Sequence, residues 1–167
     1  MNFDAQYEAL VVAPFGAVAI SQQANQLVIQ LLVELPSQEN TLSTLPLVKK
    51  AYTQIMQYLQ DSSSKIDLPI HIQGTAFQQR VWQAIAAIPV GQTYTYSQLA
   101  EKLGSGARAV ANACGANCLP LLIPCHRVLA KNGVGGFMRG HPHGLAIKKW
   151  LLAHEGVCVD QRSGQHE

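Results

Sequence analysis

The sequence predicts an α+β chain in two parts, a small β-sheet with one helix and then a mostly helical half. Three observations predict it. Aliphatic residues gather in three short runs before residue 34, apolar residues recur at helical spacing over 45–60, and from residue 75 the pattern is helical with Gly and Pro interruptions. The predicted domains are residues 1–73 and 74–167.

The three runs are 9–13, 17–21 and 27–33, rich in Val, Ile, Leu and Ala. Pro14-Phe15-Gly16 and Gln22 to Gln26 separate them, so they read as three strands of a meander. Ser37 to Thr44 is polar and reads as a loop. Leu45, Val48, Tyr52, Ile55 and Leu59 define an amphipathic helix over 45–60, with Pro46 suited to its first turn. Asp61 to Lys65 reads as a linker and Ile66 to Gln73 as a further short strand.

In the second half, Thr75 with Gln78 forms a capping-box pair, and Phe77, Val81, Ala84, Ile85 and Ile88 form the stripe behind it. Pro89-Val90-Gly91 stops that helix. Thr95 with Gln98 opens another, through Leu99, Ala100 and Leu103 to Gly104. After Ser105-Gly106 a third begins, Ala107 to Cys114, so the pair reads as a helix-turn-helix. This third helix is made of small residues with Arg108 as its only charge, which lets a partner approach its backbone. Leu119 to Ile123, held between Pro120 and Pro124, reads as a buried extended segment leading to Cys125. Val128 to Ala130, Lys131-Asn132-Gly133 and Val134 to Phe137 read as a β-hairpin, with Gly135 and Gly136 leaving one arm bare for a ligand. Residues 144–155 form the last helix, with Ile147, Trp150, Leu151 and His154 on one face. The tail after Val159 is polar.

A chain of 167 residues is one domain or two small ones. Hydrophobic residues make up 48% and charged residues 13%, which excludes an intrinsically disordered chain. No apolar run approaches the roughly 20 residues of a membrane span. Met1-Asn2-Phe3-Asp4 carries an acid where a signal peptide needs a base, so the expected location is cytoplasmic, or nuclear in a eukaryote, with no membrane partner. Charge is uneven: residues 1–74 carry net −3 and residues 75–167 net +5. A basic second half suggests an anionic partner, with nucleic acid the first candidate.

All four cysteines, Cys114, Cys118, Cys125 and Cys158, lie in the second half, and reduced thiols are expected in a chain without a signal peptide. Cys125 stands out. It follows a proline and an apolar segment and precedes His126 and Arg127, two groups that can favour a thiolate. A nucleophilic cysteine also needs a base and a group that orients the base, and Glu155 is a candidate orienter. The rival is a zinc set of Cys114, Cys118, Cys125 and His126, whose spacing does not fit paired knuckles. His141 and His143, around Pro142, are expected in an exposed loop.

The segment Leu121-Leu122-Ile123-Pro124-Cys125-His126-Arg127-Val128 resembles the signature of the O6-alkylguanine-DNA alkyltransferases, the methylated-DNA–protein-cysteine methyltransferases. Phe77 to Trp82, Ile88 to Thr93, Tyr96 to Ala100, Arg108-Ala109-Val110, Asn117 and Trp150 to Gly156 follow the family's order, so the resemblance covers about residues 70–157. The first half is similar only in its sheet-plus-helix character. For the fold, the resemblance implies an RNase H-like domain followed by a winged helix-turn-helix-type alkyltransferase domain. For the activity it implies DNA repair by stoichiometric, irreversible transfer of an alkyl group from O6 of guanine to Cys125, and it leaves O4 of thymine open as a second donor.

In that scheme His126 acts as base through a water, Glu155 polarises it, and Asn117 shapes the turn before the cysteine. Tyr96 helps rotate the lesion and donates a proton toward the base, and Arg108 fills the vacated stack. Ser97, Ala107, Ala109 and Lys131 join Tyr96 and Arg108 on the DNA side, in the minor groove. Val128, Phe137 and Met138 wall the pocket. The expected partner is double-stranded DNA bearing O6-alkylguanine, met by a monomer with no cofactor and no metal. The sequence departs from the family pattern at Cys118, where Pro is frequent, at the short Gly104-Ser105-Gly106 connection, at Met138 and at the extra Gly140-His141-Pro142-His143 stretch. Three other readings compete: a binding-only alkyltransferase-like protein, which the presence of Cys125 argues against, a cysteine hydrolase, and a helix-turn-helix regulator.

Overall fold

The computed structural model describes residues 7–34, 44–137 and 143–158. The loop expected over 37–44 falls outside these residues apart from Thr44, as do Met138, Gly140 to Pro142 and the tail from Val159. The fold is α+β, in two units, Met1–Ile72 and Gln73–Glu167.

In the first unit, β1 (Ala9–Ala13), β2 (Gly16–Gln23) and β3 (Gln26–Leu32) form an antiparallel meander in the order β1-β2-β3. The three predicted strands are present within one or two residues. Tight turns set the register, pairing Ala13 with Gly16 and Gln23 with Gln26. Gly16 has no substitute there. Its φ is +143°, and a Cβ would stand 2.1 Å from the Leu32 carbonyl oxygen. Leu27, Ile29 and Leu31 are buried in strict alternation along β3, whereas the central strand buries Ala17 to Ile20 without a break. Helix α1 (Pro46–Gln60) starts at its proline and packs against β1 and β2 with Val48, Ala51, Ile55 and Tyr58 buried. The strand expected over 66–73 is absent: the segment has no regular structure, and Pro69 removes a ladder donor from its middle.

The second unit is built on two capping boxes. Thr75 and Gln78 exchange side-chain and backbone hydrogen bonds at the start of α2 (Ala76–Ala86), and Thr95 and Gln98 repeat the arrangement on α3 (Tyr96–Leu103). Gly104, at φ +68°, ends α3 with a left-handed cap. Helix α4 (Ala107–Gly115) follows at once and packs on α3 and α2. Its small residues permit close approach, and the buried Trp82 indole of α2 donates to the Ala113 carbonyl at 2.9 Å.

Three expectations fail here for tertiary reasons. Residues 119–123 are buried but not extended. They form turns, with Leu121 at φ +78° and the Ile123 amide donating to Leu119 O at 2.8 Å. Residues 128–137 are not a hairpin. Strand β5 (Val128–Leu129) pairs in parallel with β4 (Tyr94–Thr95), leaving one isolated bridge between Ala130 and Gly133. Gly135 is bare because the protein itself closes on it: a Cβ there would lie 2.9 Å from the Ala130 nitrogen and 3.1 Å from the Tyr96 ring. Gly136, by contrast, has open space on that side. Finally, α5 (Gly144–His154) buries Gly144, Ile147, Lys148, Leu151 and Leu152. Trp150 and His154 are only half-buried and stack on each other, 4.7 Å between ring centroids.

Candidate active site

The turns of residues 116–124 deliver Cys125 to the start of a single 3-10 turn, Cys125–Arg127, not to a strand. The three residues therefore splay in different directions and do not alternate between two faces. Asn117 organises the approach. Its Oδ1 accepts from the Leu119 amide at 2.8 Å, and its Nδ2 donates to the Ile123 carbonyl at 2.9 Å and to Cys125 Sγ at 3.2 Å. Cys125 itself is buried, with 6% of its surface exposed. Its sulfur lies 3.9 Å from the Cys114 carbonyl oxygen.

His126 and Arg127 turn away from the sulfur toward Glu155, which caps the C-terminal end of α5. His126 Nε2 and Glu155 Oε2 are 2.8 Å apart. Arg127 grips both carboxylate oxygens, Nε on Oε1 and Nη2 on Oε2, each at 2.8 Å, and donates from Nη1 to the Ile88 carbonyl. The Glu155 side chain has no exposed surface. A buried carboxylate is tolerable only when every lone pair is engaged by a donor or a counter-charge, and here both oxygens are.

This arrangement corrects the expectation that His126 and Arg127 hold Cys125 as a thiolate. Burial keeps the imidazole below its ordinary pKa, with Glu155 pulling the other way, so His126 is neutral at rest. The Arg127 charge is spent on Glu155. The Cys125 thiol is pushed well above its usual range by its hydrogen bond with the Cys114 side chain and by burial, and only Asn117 and Lys148 oppose this. The resting sulfur is a protonated thiol.

Lys148 is the residue beside this cluster that sequence reasoning missed. It is fully buried in α5, with Nζ donating to Val128 O at 2.7 Å and Gly136 O at 3.0 Å. Its ammonium stands 5.8 Å from the Tyr96 ring centroid and 6.0 Å from that of Phe137. Burial lowers its pKa from 10.5 to about 8, opposed by the two sulfurs of Cys114 and Cys125. The signal was its place in the α5 pattern, beside Ile147 and one turn before Leu151 and Leu152, where a lysine is out of character.

The structure thus gathers Cys125, His126, Glu155 and Asn117 into one cluster. Tyr96, half-buried at the start of α3, joins it: burial and the nearby sulfurs raise its pKa, and its hydroxyl lies 3.5 Å from Gly136 O. Phe137 borders the Lys148 side, and Val128 is wholly buried. Arg108 and Ser97 are exposed on α4 and α3, Ala107 and Ala109 half-buried on α4, and Lys131 exposed in the turn after β5. Among the described residues, no group of three or more His, Cys, Asp or Glu is placed to hold a metal ion. No helix of the described residues is long and apolar enough to cross a membrane.

Residues 76–157 match the family described as 6-O-methylguanine DNA methyltransferase, DNA binding domain. A probable methylated-DNA–protein-cysteine methyltransferase of Acanthamoeba polyphaga mimivirus is 41% identical over 111 residues, 65% of this chain and 72% of the relative. The chain belongs to the O6-methylguanine-DNA methyltransferase family. The regulatory protein Ada of Salmonella typhimurium is 44% identical over 111 residues, 65% of this chain, but the match spans only 31% of Ada. The crystal structure of Mycobacterium tuberculosis O6-methylguanine methyltransferase superposes with a TM-score of 0.71 at 30% identity, covering 87% of this chain and 90% of that one. A structure of the same methyltransferase in complex with DNA gives 0.67 at 28% identity, with the same coverage. In this methyltransferase family member the fold agrees with its relatives over both units, beyond the stretch on which the sequence resemblance rested.

Proposed function

We propose that this chain repairs duplex DNA by moving an alkyl group from O6 of guanine onto Cys125, once per molecule. The observation that carries the reading is the Cys125–Asn117 contact beside the His126–Glu155–Arg127 network. It provides a buried soft nucleophile with a hydrogen-bond donor on the sulfur and a neutral, oriented imidazole next in sequence. The names of the relatives, and the DNA-bound state of one of them, support the substrate class.

The reaction is a displacement at an alkyl carbon. The Cys125 proton leaves by way of a water to His126, whose Nε2 faces Glu155 and so leaves Nδ1 as the acceptor. The thiolate forms the S–C bond as the O6–C bond breaks, and the electron pair stays with guanine. Tyr96 donates a hydrogen bond toward the departing base; burial raises its pKa, so the phenol keeps its proton and stabilises the charge that develops there. The product thioether has no leaving group that water can displace, so the protein is consumed.

Cys125 is too buried to meet a stacked base, so the lesion must leave the duplex. In this reading Arg108, exposed on the first turn of α4, enters the stack, and Tyr96, Ser97 and the small residues Ala107 and Ala109 form the face toward the minor groove. Lys131 contributes a phosphate contact, and Val128 and Phe137 wall the pocket. We assign the first unit an RNase H-like fold and the second a winged helix-turn-helix, acting as a monomer without cofactor. The test is mass spectrometry after mixing with an oligonucleotide carrying O6-methylguanine. One methyl mass on the Cys125 peptide, at no more than one equivalent per protein, is the expected result. An unmodified Cys125, or repeated turnover, refutes the proposal.

A further inference from the structure

Lys148 takes no part in the chemistry above, yet it is wholly buried and its ammonium is engaged by two backbone carbonyls. Val128 O, at 2.7 Å, belongs to the first residue of β5, just after the turn that carries Cys125. Gly136 O, at 3.0 Å, belongs to the exposed end of the stretch that folds back on Ala130. The lysine thus clasps residues 128 and 136 together. Tyr96 meets the same stretch from α3. Its hydroxyl lies 3.5 Å from Gly136 O, and a Cβ at Gly135 would stand 3.1 Å from its ring. Among the described residues, the hydrogen bonds that tie 134–137 to the rest of the unit both end on the Gly136 carbonyl, one from Lys148 and one from Tyr96. The rings of Tyr96 and Phe137 stand 5.8 and 6.0 Å from Nζ, so both aromatic rings rest on one ammonium.

We infer that Lys148 is a positioning residue: by holding Gly136 O beside Val128 O and Tyr96, it fixes the wall of the acceptor pocket against which a flipped base is seated. The seated base rests on the alkyl-transfer reading; the clasp itself does not.

A lysine is a costly way to fill this place in α5. Ile147, Leu151 and Leu152 are buried beside it, and an apolar side chain of similar volume would pack there without surrendering the hydration of a charge. What the lysine adds is a set of N–H donors radiating from one atom, which lets one side chain hold two carbonyls from separate segments. The held segment needs it. Gly135, at φ +83°, and Gly136 have no side chains with which to pack the loop in place. Without the clasp the wall swings, and a bound base adopts poses that do not bring its alkyl carbon into line with Cys125 Sγ. A misplacement of about 1 Å at a reacting atom costs roughly 100-fold in rate.

The experiment compares the full-length wild type with Lys148→Met, which keeps an unbranched stem and removes the donors. Transfer from an O6-methylguanine duplex is followed in single turnovers with protein in excess. The limiting rate should fall by about 10- to 100-fold, with the protein concentration giving half that rate unchanged, because the groups that hold the duplex are untouched. Alkylation of Cys125 by iodoacetamide, which has no base to seat, should fall far less, since Lys148 is the weakest of the groups acting on the Cys125 proton. Tyr96→Phe should cost less in the Lys148→Met background than in wild type, because hydroxyl and ammonium act through the same carbonyl. Hydrogen exchange without DNA should quicken over 129–137 in Lys148→Met and stay as it was in α2. Lys148→Gln, which keeps two N–H donors and no charge, should transfer faster than Lys148→Met, and it takes over the comparison with wild type if the methionine variant does not fold. Unchanged exchange over 129–137, an equal fall in transfer and in iodoacetamide alkylation, or additive losses in the double variant overturns the inference. A wild type that accepts no methyl refutes the alkyl-transfer reading alone, and hydrogen exchange still decides whether Lys148 holds the wall.

Discussion

Replacing Asn117 separates the two tasks its amide performs, holding the turn and supporting the sulfur. Asn117→Ala removes all three hydrogen bonds. The Leu119 amide is left without its acceptor, and an unsatisfied buried donor costs about 1–3 kcal/mol, with a smaller share added by the Ile123 carbonyl. The donor to Cys125 also goes. A hydrogen bond to a charged group contributes about 1.5–3 kcal/mol, so losing it from the thiolate should slow transfer by about 10- to 100-fold. Asn117→Asp keeps an oxygen for Leu119 but sets a carboxylate about 3 Å from the sulfur, where like charges repel by several kcal/mol at an effective dielectric of about 20. The aspartate variant should therefore be the more stable of the two and the slower. Urea unfolding reads stability, and single-turnover transfer to an O6-methylguanine oligonucleotide, with protein in excess, reads the rate. If Asn117→Asp transfers as fast as Asn117→Ala, the sulfur does not depend on a donor at this position and the reasoning fails.

Four further outcomes follow. Lys148 has a folded pKa of about 8 against 10.5 free, so the unfolded chain binds the extra proton between those values and stability gains with rising pH there. The stability of wild type relative to Lys148→Met should rise across that window by up to about 3 kcal/mol, and a flat difference in urea titrations counts against a buried charge. Glu155→Ala leaves the Arg127 guanidinium buried without its counter-charge, and a loss of about 3–5 kcal/mol is expected in the same titrations. Arg108→Ala should slow repair of duplex more than reaction with free O6-methylguanine, and equal slowing would remove its role in the stack. Tyr96→Phe should slow transfer while thermal unfolding is unchanged; wild-type kinetics would deny it the hydrogen bond.

What could be read from the sequence is what is decided locally. Two capping boxes, a Gly104 stop and the three strands of the meander each depend on residues within a turn or a strand of one another, and the structure has them where they were expected. The failures share a cause. Strand β5 pairs with β4, far upstream, so nothing near Lys131 could reveal that the arms of the expected hairpin do not meet. The 119–123 turn depends on the Asn117 side chain and on a bulky residue at positive φ, neither of which propensity anticipates. The face of α5 was misassigned because Trp150 and His154 look like core residues and Lys148 like a surface one. The aromatic pair instead stacks on itself at the rim, while two backbone carbonyls make the interior habitable for the amine.

The same misassignment explains the error about Cys125. Reading outward from the cysteine, the adjacent His126 and Arg127 look like the groups that ionise it. The fold commits both to Glu155 and leaves the sulfur, among the described residues, the cation of Lys148, itself partly deprotonated near neutral pH. A standing thiolate would be a liability in a protein that reacts once, since any passing electrophile would use it up. Burial and the Cys114 contact keep the proton on the sulfur, and the neutral imidazole keeps a place ready for it. Reactivity is then conditional on a bound base that excludes water and aligns the alkyl carbon, which is where a stoichiometric acceptor needs the control to lie.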